Sequence, residues 1–273
     1  MALLGLAHAA LGTECAVATV DHGLRAEAAR ECAMVAEACA ARGVNCFVLT
    51  VAPGRGNRQA AARVARYVAI AEWAAAHGIA RVATAHHADD QAETLLMRLN
   101  RGSGVAGLAG IRPATTRRGL RIVRPLLDWR RAELLAVVRQ AGLPFVADPS
   151  NSDPVYDRTR MRAALAAADW LDAGALARSA AHLAEADALL QSLADVRWPE
   201  VRDEGGGLII PATAWLDTDA RLLARAIARY GGDIGAGELI GFLKRLDRRA
   251  TIAGCLIERT RTGYRCAPEP PRR

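Results

Sequence analysis

Hydrophobic and polar positions along the first half of the chain alternate between short apolar runs and longer stretches with helical spacing. The apolar runs at residues 15–20, 44–51 and 79–85 predict three buried strands. Between them, residues 26–43 and 58–78 repeat apolar positions every three or four residues and predict two helices. Because strands separated by helices form parallel sheets covered on both faces, we predict an α/β fold with a doubly wound parallel sheet.

The pattern changes near Ala163, where a long alanine-rich helical stretch begins. It is followed by a short apolar run at residues 207–211, a helical stretch near residues 219–232 and a hairpin-like pattern at residues 252–266. This order of elements predicts a second, smaller α+β domain. The two domains are expected at residues 1–165 and 166–273.

The composition is that of a globular protein without a membrane span. Of the 273 residues 52% are hydrophobic, and no run approaches the roughly 18 uninterrupted apolar residues that a membrane-spanning helix requires. The six cysteines include no Cys-x-x-Cys pair, so the sequence indicates neither a zinc site nor a redox motif. Reduced thiols fit a cytoplasmic protein.

The charge is basic and is carried almost entirely by arginine. The net charge is +7, and Lys244 is the one lysine among the 36 lysine and arginine residues. Since the planar guanidinium suits phosphate recognition, this composition is consistent with a polyanionic partner. Arginine richness also follows from a GC-rich genome, so the charge alone does not identify a partner.

A cluster of titratable side chains lies at residues 84–104, TAHHADDQAETLLMRLNRGSG. It follows the third predicted strand, and a second polar segment, VDHG at residues 20–23, follows the first. Open α/β sheets bind ligands beyond the carboxyl ends of their strands. Both polar segments therefore fall at the edge where a site is expected.

Three carboxylates of this cluster lie close together if a helix begins at Ala88. Asp89 is then four residues and Asp90 three residues before Glu93, so the three side chains can share one face at the helix start. Acidic residues there are favoured by the helix dipole, and a simple helix cap is one interpretation. The other is a site for Mg²⁺, which prefers oxygen ligands, or for the ammonium group of an amine substrate.

Two further segments contain candidates for anion binding. Residues 101–110 hold four glycines, a serine and Arg101, so their backbone N–H groups can line an anion site or form an ordinary flexible turn. Arg158, Arg160 and Arg162 occupy alternate positions. If the segment is extended, the three side chains project to one side, and if it is helical, the spacing of four places Arg158 and Arg162 on one face. Either geometry can clamp phosphates, and a solvated charged face is the alternative.

Several segments together resemble one family. The motifs VDHGLR, RQAAARVARY, TAHHADDQAETLLMRLNRGSGVAGLAGI, VRPLL and DPSNSDPVYDRTRMR occur in the order and approximate spacing of tRNA(Ile)-lysidine synthetases, which belong to the PP-loop ATP pyrophosphatases. The resemblance covers residues 1–165, and the remainder resembles the family's substrate-binding domain only loosely. It implies a sheet like that of the adenine-nucleotide alpha hydrolases and a smaller domain that binds the tRNA substrate.

The resemblance also implies a reaction and its partners. In this family ATP, together with Mg²⁺, adenylates the C2 oxygen of the wobble cytidine of tRNA(Ile) with a CAU anticodon. The ε-amine of free L-lysine then displaces AMP and forms lysidine. Adenylation requires neutralised phosphates and the second step requires an unprotonated amine, and the acids and histidines of residues 86–93 suit both needs.

The family's motifs assign roles to individual residues of the cluster. His86 and Asp90 match positions at the reacting centre. Glu93 matches a position that is a candidate for holding the ammonium group of lysine, and Asp89 is a candidate metal ligand.

Other matches concern the nucleotide and the tRNA. Arg63 and Arg66 fall where the family places arginines near the nucleotide, and packing of their alkyl stems over the sheet is the alternative, more so for Arg63. Gly23 permits a tight turn near the adenosine. The expected nucleotide-binding residues are Asp21, His22, Gly23 and Arg66, and the expected substrate- or tRNA-binding residues are Arg101, Arg158 and Arg162.

One element of the family is absent from the sequence. In relatives, a Ser-Gly-Gly-x-Asp-Ser loop that wraps the ATP phosphates precedes a helix resembling MALLGLAHAALG, which here begins at Met1. We therefore expect that Met1 is not the natural start and that an apolar strand ending in this loop is encoded upstream.

Three functional interpretations remain open: a lysidine synthetase, a degenerate relative that binds tRNA without catalysis, and a tRNA thiolase of the same fold. The intact acidic cluster favours the first, because a protein that only binds RNA gains nothing from three carboxylates facing a polyanion. Thiolases of this fold depend on paired cysteines, so the absence of a Cys-x-x-Cys pair argues against the third.

Overall fold

The structure is a computed structural model that describes residues 1–21, 26–51, 58–146 and 157–270. The chain divides into two compact units, which are treated separately. The first unit comprises Met1–Thr94 and Ile111–Arg178, and the second comprises Leu95–Gly110 and Ser179–Arg273. The functional division into residues 1–165 and 166–273 stays a prediction. No helix of the described residues has the length and apolar character needed to cross a membrane.

The strands and helices predicted for the first half are present as β1, β2, β3, α2 and α3. Within the described residues, the helices in chain order are α1 (Ala2–Leu11), α2 (Ala26–Ala40), α3 (Arg58–Ala76), α4 (Ala88–Leu99), α5 (Val105–Leu108), α6 (Arg131–Gln140), α7 (Asp157–Ala167), α8 (Ala173–Arg197), α9 (Leu216–Arg229) and α10 (Ala236–Arg245). The strands are β1 (Ala16–Asp21), β2 (Asn45–Thr50), β3 (Arg81–Ala83), β4 (Ala114–Arg117), β5 (Leu120–Val123), β6 (Arg202–Glu204), β7 (Gly207–Pro211), β8 (Arg249–Ile252), β9 (Cys255–Arg259) and β10 (Gly263–Pro268).

The parallel pairing predicted for the first half is confirmed. β1 runs parallel to β2, with Ala16 opposite Asn45, and β3 runs parallel to β5, with Val82 opposite Ile122. β4 adds an antiparallel strand to β5. The strands form two separate hydrogen-bonded sheets rather than one, because no strand of the described residues pairs with both β1 and β3.

The hairpin of β4 and β5 lies in a segment where the apolar pattern predicts no strand. Arg118 and Gly119 form its two-residue turn, and both have positive φ angles, 49° and 77°. Such angles match the twist that a two-residue hairpin requires. Only Leu120 and Ile122 of β5 are buried, and two apolar positions are too few to show an alternating pattern.

Two apolar clusters stabilise the first unit. One consists of residues from α1, α2 and α6 and the segments beside them, among them Leu4, Cys39 and Leu134. In the other, Ile70 and Trp73 of α3 pack against Leu120 and Ile122 of β5. Because these contacts hold one face of α3 against the sheet, they also determine where the preceding turn of α3 lies.

The second unit is built on an antiparallel sheet with the strand order β6-β7-β10-β9-β8. The strand predicted at residues 207–211 is β7, and the predicted hairpin is β9 and β10. α9 and α10 cover the sheet with fully buried leucine and isoleucine side chains. Gly263 allows β10 to approach β7, because a Cβ atom there would lie 2.1 Å from the carbonyl oxygen of Ile210. The predicted smaller α+β region is therefore confirmed.

A buried arginine links α8 to α9 in the second unit. The Arg221 side chain is 4% exposed, and its Nη2 donates to Oδ1 of Asp187 at 2.6 Å. Its Nε donates to Oδ1 of Asp217 at 2.5 Å, and its Nη1 lies 3.3 Å from Oε1 of Gln191. Removing the guanidinium would take a charged hydrogen-bond donor away from Asp187 and Asp217, whose carboxylates are both partly buried.

Replacement of Arg221 by alanine should lower the free energy of unfolding by about 3–5 kcal/mol, because breaking a buried ion pair leaves an uncompensated charge. Urea unfolding followed by circular dichroism measures this change. Glu200→Ala is the matched control, since it removes an exposed ion pair, with Arg197 at 2.8 Å, and should cost no more than about 1 kcal/mol. Equal losses of unfolding free energy in the two variants would contradict the prediction that the buried ion pair contributes more than the exposed one.

Candidate active site

The candidate site forms where β3 ends and α4 begins. The N–H of Thr84 donates to the carbonyl of Val123 at 2.9 Å, which continues the pairing of β3 with β5 by one residue. At the start of α4, the N–H of Ala88 donates to the carbonyl of Trp129 at 2.9 Å. The residues between them therefore lie at the carboxyl edge of the parallel strands, where open α/β sheets bind ligands.

A cavity of about 290 Å³ lies at this edge of the first unit. It brings together four residues singled out from the sequence, namely Arg66, His86, Asp90 and Arg158. The other lining residues are Tyr67, Ile70, Thr84 and Ala85. Sequence analysis missed these four, although helical spacing could have found Ile70, which lies one turn after Arg66.

A buried carboxylate, Glu93, joins α4 to α7. Its side chain is 3% exposed, and Nε of Arg158 donates to its Oε2 at 2.7 Å. Nε of Arg162 donates to its Oε1, also at 2.7 Å, and this hydrogen bond raises the pKa of the Arg162 guanidinium. Nη2 of Arg158 also donates to Oδ1 of Asp90 at 2.8 Å. Two arginines thus occupy both oxygens of Glu93.

The helical conformation of α7 decides between the two geometries left open for its arginines. Arg158 and Arg162 lie one turn apart and reach the same carboxylate, whereas Arg160 forms an ion pair with Asp157. The pair therefore clamps Glu93 of the protein itself. The DPSN motif that precedes α7 lies outside the described residues.

Asp89 makes different contacts from the other two acids of the cluster. Its Oδ2 accepts a hydrogen bond from the backbone N–H of Arg131 at 2.8 Å and lies 3.5 Å from Nδ1 of His87. These contacts, above all that with His87, lower the pKa of Asp89 to about 2. Asp90 and Glu93 thus share Arg158, whereas Asp89 binds the backbone of Arg131 and contacts His87 together with Asp90.

Asp90 contacts both the start of α4 and the cavity. Its Oδ2 accepts a hydrogen bond from the backbone N–H of His87 at 3.1 Å, which satisfies a free donor at the start of α4. Its Oδ1 binds Arg158 at the cavity. The same carboxylate therefore caps the helix and contributes to the cavity wall.

The imidazole of His86 is oriented by a neighbouring hydroxyl. Oγ1 of Thr84 lies 3.0 Å from Nδ1 of His86. This contact holds the imidazole in the cavity wall, where a histidine side chain can exchange a proton with a ligand.

The contacts do not assemble a metal site. In the part of the chain that the structure describes, no three side chains of His, Cys, Asp or Glu form a group that could hold a metal ion. Asp89 uses an oxygen for Arg131, and Glu93 uses both oxygens for arginines. The role of Asp89 as a Mg²⁺ ligand stays a prediction that these contacts do not favour.

Asp21 is not among the described residues that line the cavity. Asp21 ends β1, where its carbonyl accepts a hydrogen bond from the N–H of Val51 at 2.9 Å. Arg101 is exposed in the second unit. His22 and Gly23 lie outside the described residues, and the side chain of Arg63 is likewise not described.

The glycine-rich segment after Arg101 is a hydrogen-bonded loop. Nη1 of Arg98 donates to the carbonyls of Gly107 and Gly110 at 2.5 and 3.0 Å. These two contacts secure the loop through its carbonyl groups, within the second unit.

Comparison with known proteins identifies the family. A family model of the PP-loop domain matches residues 1–168. The tRNA(Ile)-lysidine synthase of Novosphingobium aromaticivorans is 44% identical, over 94% of this chain and 82% of the relative. That of Bradyrhizobium sp. is 39% identical, over 93% of this chain and 81% of the relative.

A solved structure with a similar fold supports the α/β architecture. The U34-tRNA thiolase of Methanococcus maripaludis matches with a TM-score of 0.52 at 14% sequence identity, over 62% of this chain and 61% of that chain. At this identity the likeness shows the fold alone. The curated relatives cover more of the chain, and together with the family model they agree with the motifs in the sequence: the chain belongs to the tRNA(Ile)-lysidine synthase family of PP-loop proteins.

Proposed function

We propose that this chain joins the ε-amino group of free L-lysine to C2 of the wobble cytidine in tRNA(Ile) with a CAU anticodon, while ATP is converted to AMP and diphosphate. One observation carries the proposal: Arg66, His86, Asp90 and Arg158, which match family motifs, converge on one cavity. The sequence similarity to lysidine synthases supports the same activity.

Two arginines in the cavity wall suit the adenylation step. In this step the C2 oxygen of cytidine attacks the α-phosphorus of ATP and diphosphate leaves. Arg66 and Arg158 supply guanidinium groups that can bind phosphate oxygens and stabilise the charge that develops on them. Tyr67 and Ile70 add aromatic and apolar surface on which a base can pack.

His86 suits the proton transfer of the second step. When the amine of lysine attacks C2 of the adenylated cytidine, AMP leaves and the attacking nitrogen gives up a proton. The imidazole of His86, which Thr84 holds at the cavity, is the proposed acceptor of that proton. Asp90 holds Arg158 beside it at the cavity.

Glu93 is proposed to position arginines. Its buried carboxylate holds Arg158 and Arg162, one of which lines the cavity. Holding the ammonium group of lysine, the role that the family motif implies, would require an arginine to leave this carboxylate. The contacts therefore favour the positioning role.

Mg²⁺ enters this proposal with the substrate. ATP would act as its magnesium complex, which neutralises part of the triphosphate charge. The described residues offer no group that could hold a resident ion. The reaction is placed in the cytoplasm, where tRNA and ATP are present.

A direct assay tests the proposed reaction. The full-length protein, incubated with ATP, L-lysine and tRNA(Ile) bearing CAU, should incorporate labelled lysine into the tRNA and release AMP in equal amounts. The matched control is the same tRNA with uridine at the wobble position, which should give no product. Binding of the tRNA without product would favour the non-catalytic relative instead.

Asp90→Asn should reduce lysine incorporation about 10²-fold or more, because the neutral amide no longer provides the charge that holds Arg158 at the cavity. Steady-state kinetics with the tRNA substrate measures the loss, and circular dichroism verifies the fold. Asp195→Asn, at an exposed ion pair with Arg225, is the matched control and should retain activity. If the activity of Asp90→Asn stays within a few fold of that of the unaltered chain, Asp90 serves only as a helix cap.

Glu93→Gln separates the two roles considered for Glu93. If Glu93 positions the arginines, the variant should lower kcat and leave KM for lysine nearly unchanged. If it binds the ammonium group, KM for lysine should rise about tenfold or more while KM for ATP stays constant. Measuring both constants distinguishes these outcomes, and we expect the first.

A further inference from the structure

An exposed tryptophan occupies the loop between α7 and α8. The Trp170 side chain is 79% exposed, more than any other large hydrophobic side chain among the described residues. Keeping so large an apolar ring in water is unfavourable, and nothing in the proposed chemistry uses it. Its position therefore calls for a partner that covers it.

The loop that carries Trp170 is held in place by hydrogen bonds. The N–H of Leu171 donates to the carbonyl of Ala168 at 3.0 Å. Oδ1 of Asp172 accepts hydrogen bonds from the N–H of Gly174 at 2.8 Å and from Nη1 of Arg130 at 2.5 Å. A restrained loop presents the ring with little further loss of conformational entropy on binding.

Two connections join this loop to the proposed site within the first unit. α7 carries Arg158 at its start and ends at Ala167, immediately before the loop, and this length of helix spans about 14 Å. Arg130, which binds Asp172, also lies 3.9 Å from Asp89 at the start of α4. The loop is thus anchored to α7 and to α4, two of the three helices that supply residues of the site.

We propose that Trp170 is a stacking platform for an unpaired base of the RNA substrate, close to the nucleotide that enters the cavity. The inference rests on the proposed function, which requires a loop of tRNA to present a single base. Bases of single-stranded RNA loops are splayed out and stack on aromatic side chains. Trp170 has the exposure and the restraint that such a contact needs.

The charges around Trp170 indicate stacking rather than a phosphate contact. Asp169 and Asp172 flank the ring in sequence, and Arg130 and Arg178 lie 2.5 and 4.0 Å from the carboxylate of Asp172. Two acids and two bases balance, so this surface has no net attraction for phosphates. The contribution of Trp170 to RNA affinity should therefore depend little on salt.

Trp170→Ala should weaken binding of tRNA(Ile) roughly 5- to 150-fold, the range for loss of one stacked base. Trp170→Phe, which keeps an aromatic face, should recover most of the affinity. Fluorescence titration or filter binding with labelled tRNA measures this, at two salt concentrations. KM for ATP, KM for lysine and kcat at saturating tRNA should stay as in the unaltered chain.

Leu11→Ala is the matched control, since that residue is 54% exposed at the end of α1 in the first unit, is not among the described residues that line the cavity, and should leave tRNA affinity unchanged. Unchanged binding by Trp170→Ala overturns the inference, as does an equal loss in Leu11→Ala or a change in oligomeric state or unfolding midpoint. Because binding is measured without turnover, a chain that binds tRNA through Trp170 but forms no lysidine refutes only the proposed reaction. A chain that does not bind tRNA refutes both.

Discussion

The buried carboxylate of Glu93 is the interaction on which the candidate site depends. A carboxylate that is 3% exposed requires compensation for lost hydration, and two arginines of α7 provide it at 2.7 Å each. Because the partners lie 65 and 69 residues further along the chain, this contact attaches α7 to α4. It thereby brings Arg158 to the cavity that α3 and the end of β3 form.

This ion-pair network explains how acids can lie beside a site for polyanions. Carboxylates at an RNA- and ATP-binding site would repel phosphates if they were unpaired. Here Asp90 and Glu93 are paired with arginines, and Asp89 binds the backbone N–H of Arg131. The acids therefore serve to orient donors, and the guanidinium groups of Arg66 and Arg158 remain in the cavity wall.

The segments around the site are joined by a second set of polar contacts. Arg130 at the start of α6 binds Asp172 and lies near Asp89, so the loop after α7 and the start of α4 share one partner. Glu133 accepts a hydrogen bond from the N–H of Arg130 at 2.6 Å, which fixes the start of α6. The loop bearing Trp170 and the helix bearing Asp90 are in this way held by the same short helix.

Periodicity and motif by themselves determined the elements of the first half, the edge of the sheet that holds the site and the identity of the family. β1, β2, α2 and α3 follow from local apolar spacing, and His86 and Asp90 follow from their position after β3. Such features depend on neighbours in sequence, so they can be read without the fold.

Only the tertiary structure decided which of those residues meet. The pairing of Glu93 with Arg158 and Arg162 joins distant segments, and no spacing rule relates them. Asp89 accepts a hydrogen bond from the N–H of Arg131, 42 residues further along the chain, because the start of α6 lies beside the start of α4. Thr84 and Tyr67 both line the cavity because α3 packs on β5, a contact between distant segments. Burial and long-range contact are properties of the folded chain, and for that reason the site's inner geometry could not be derived from the sequence.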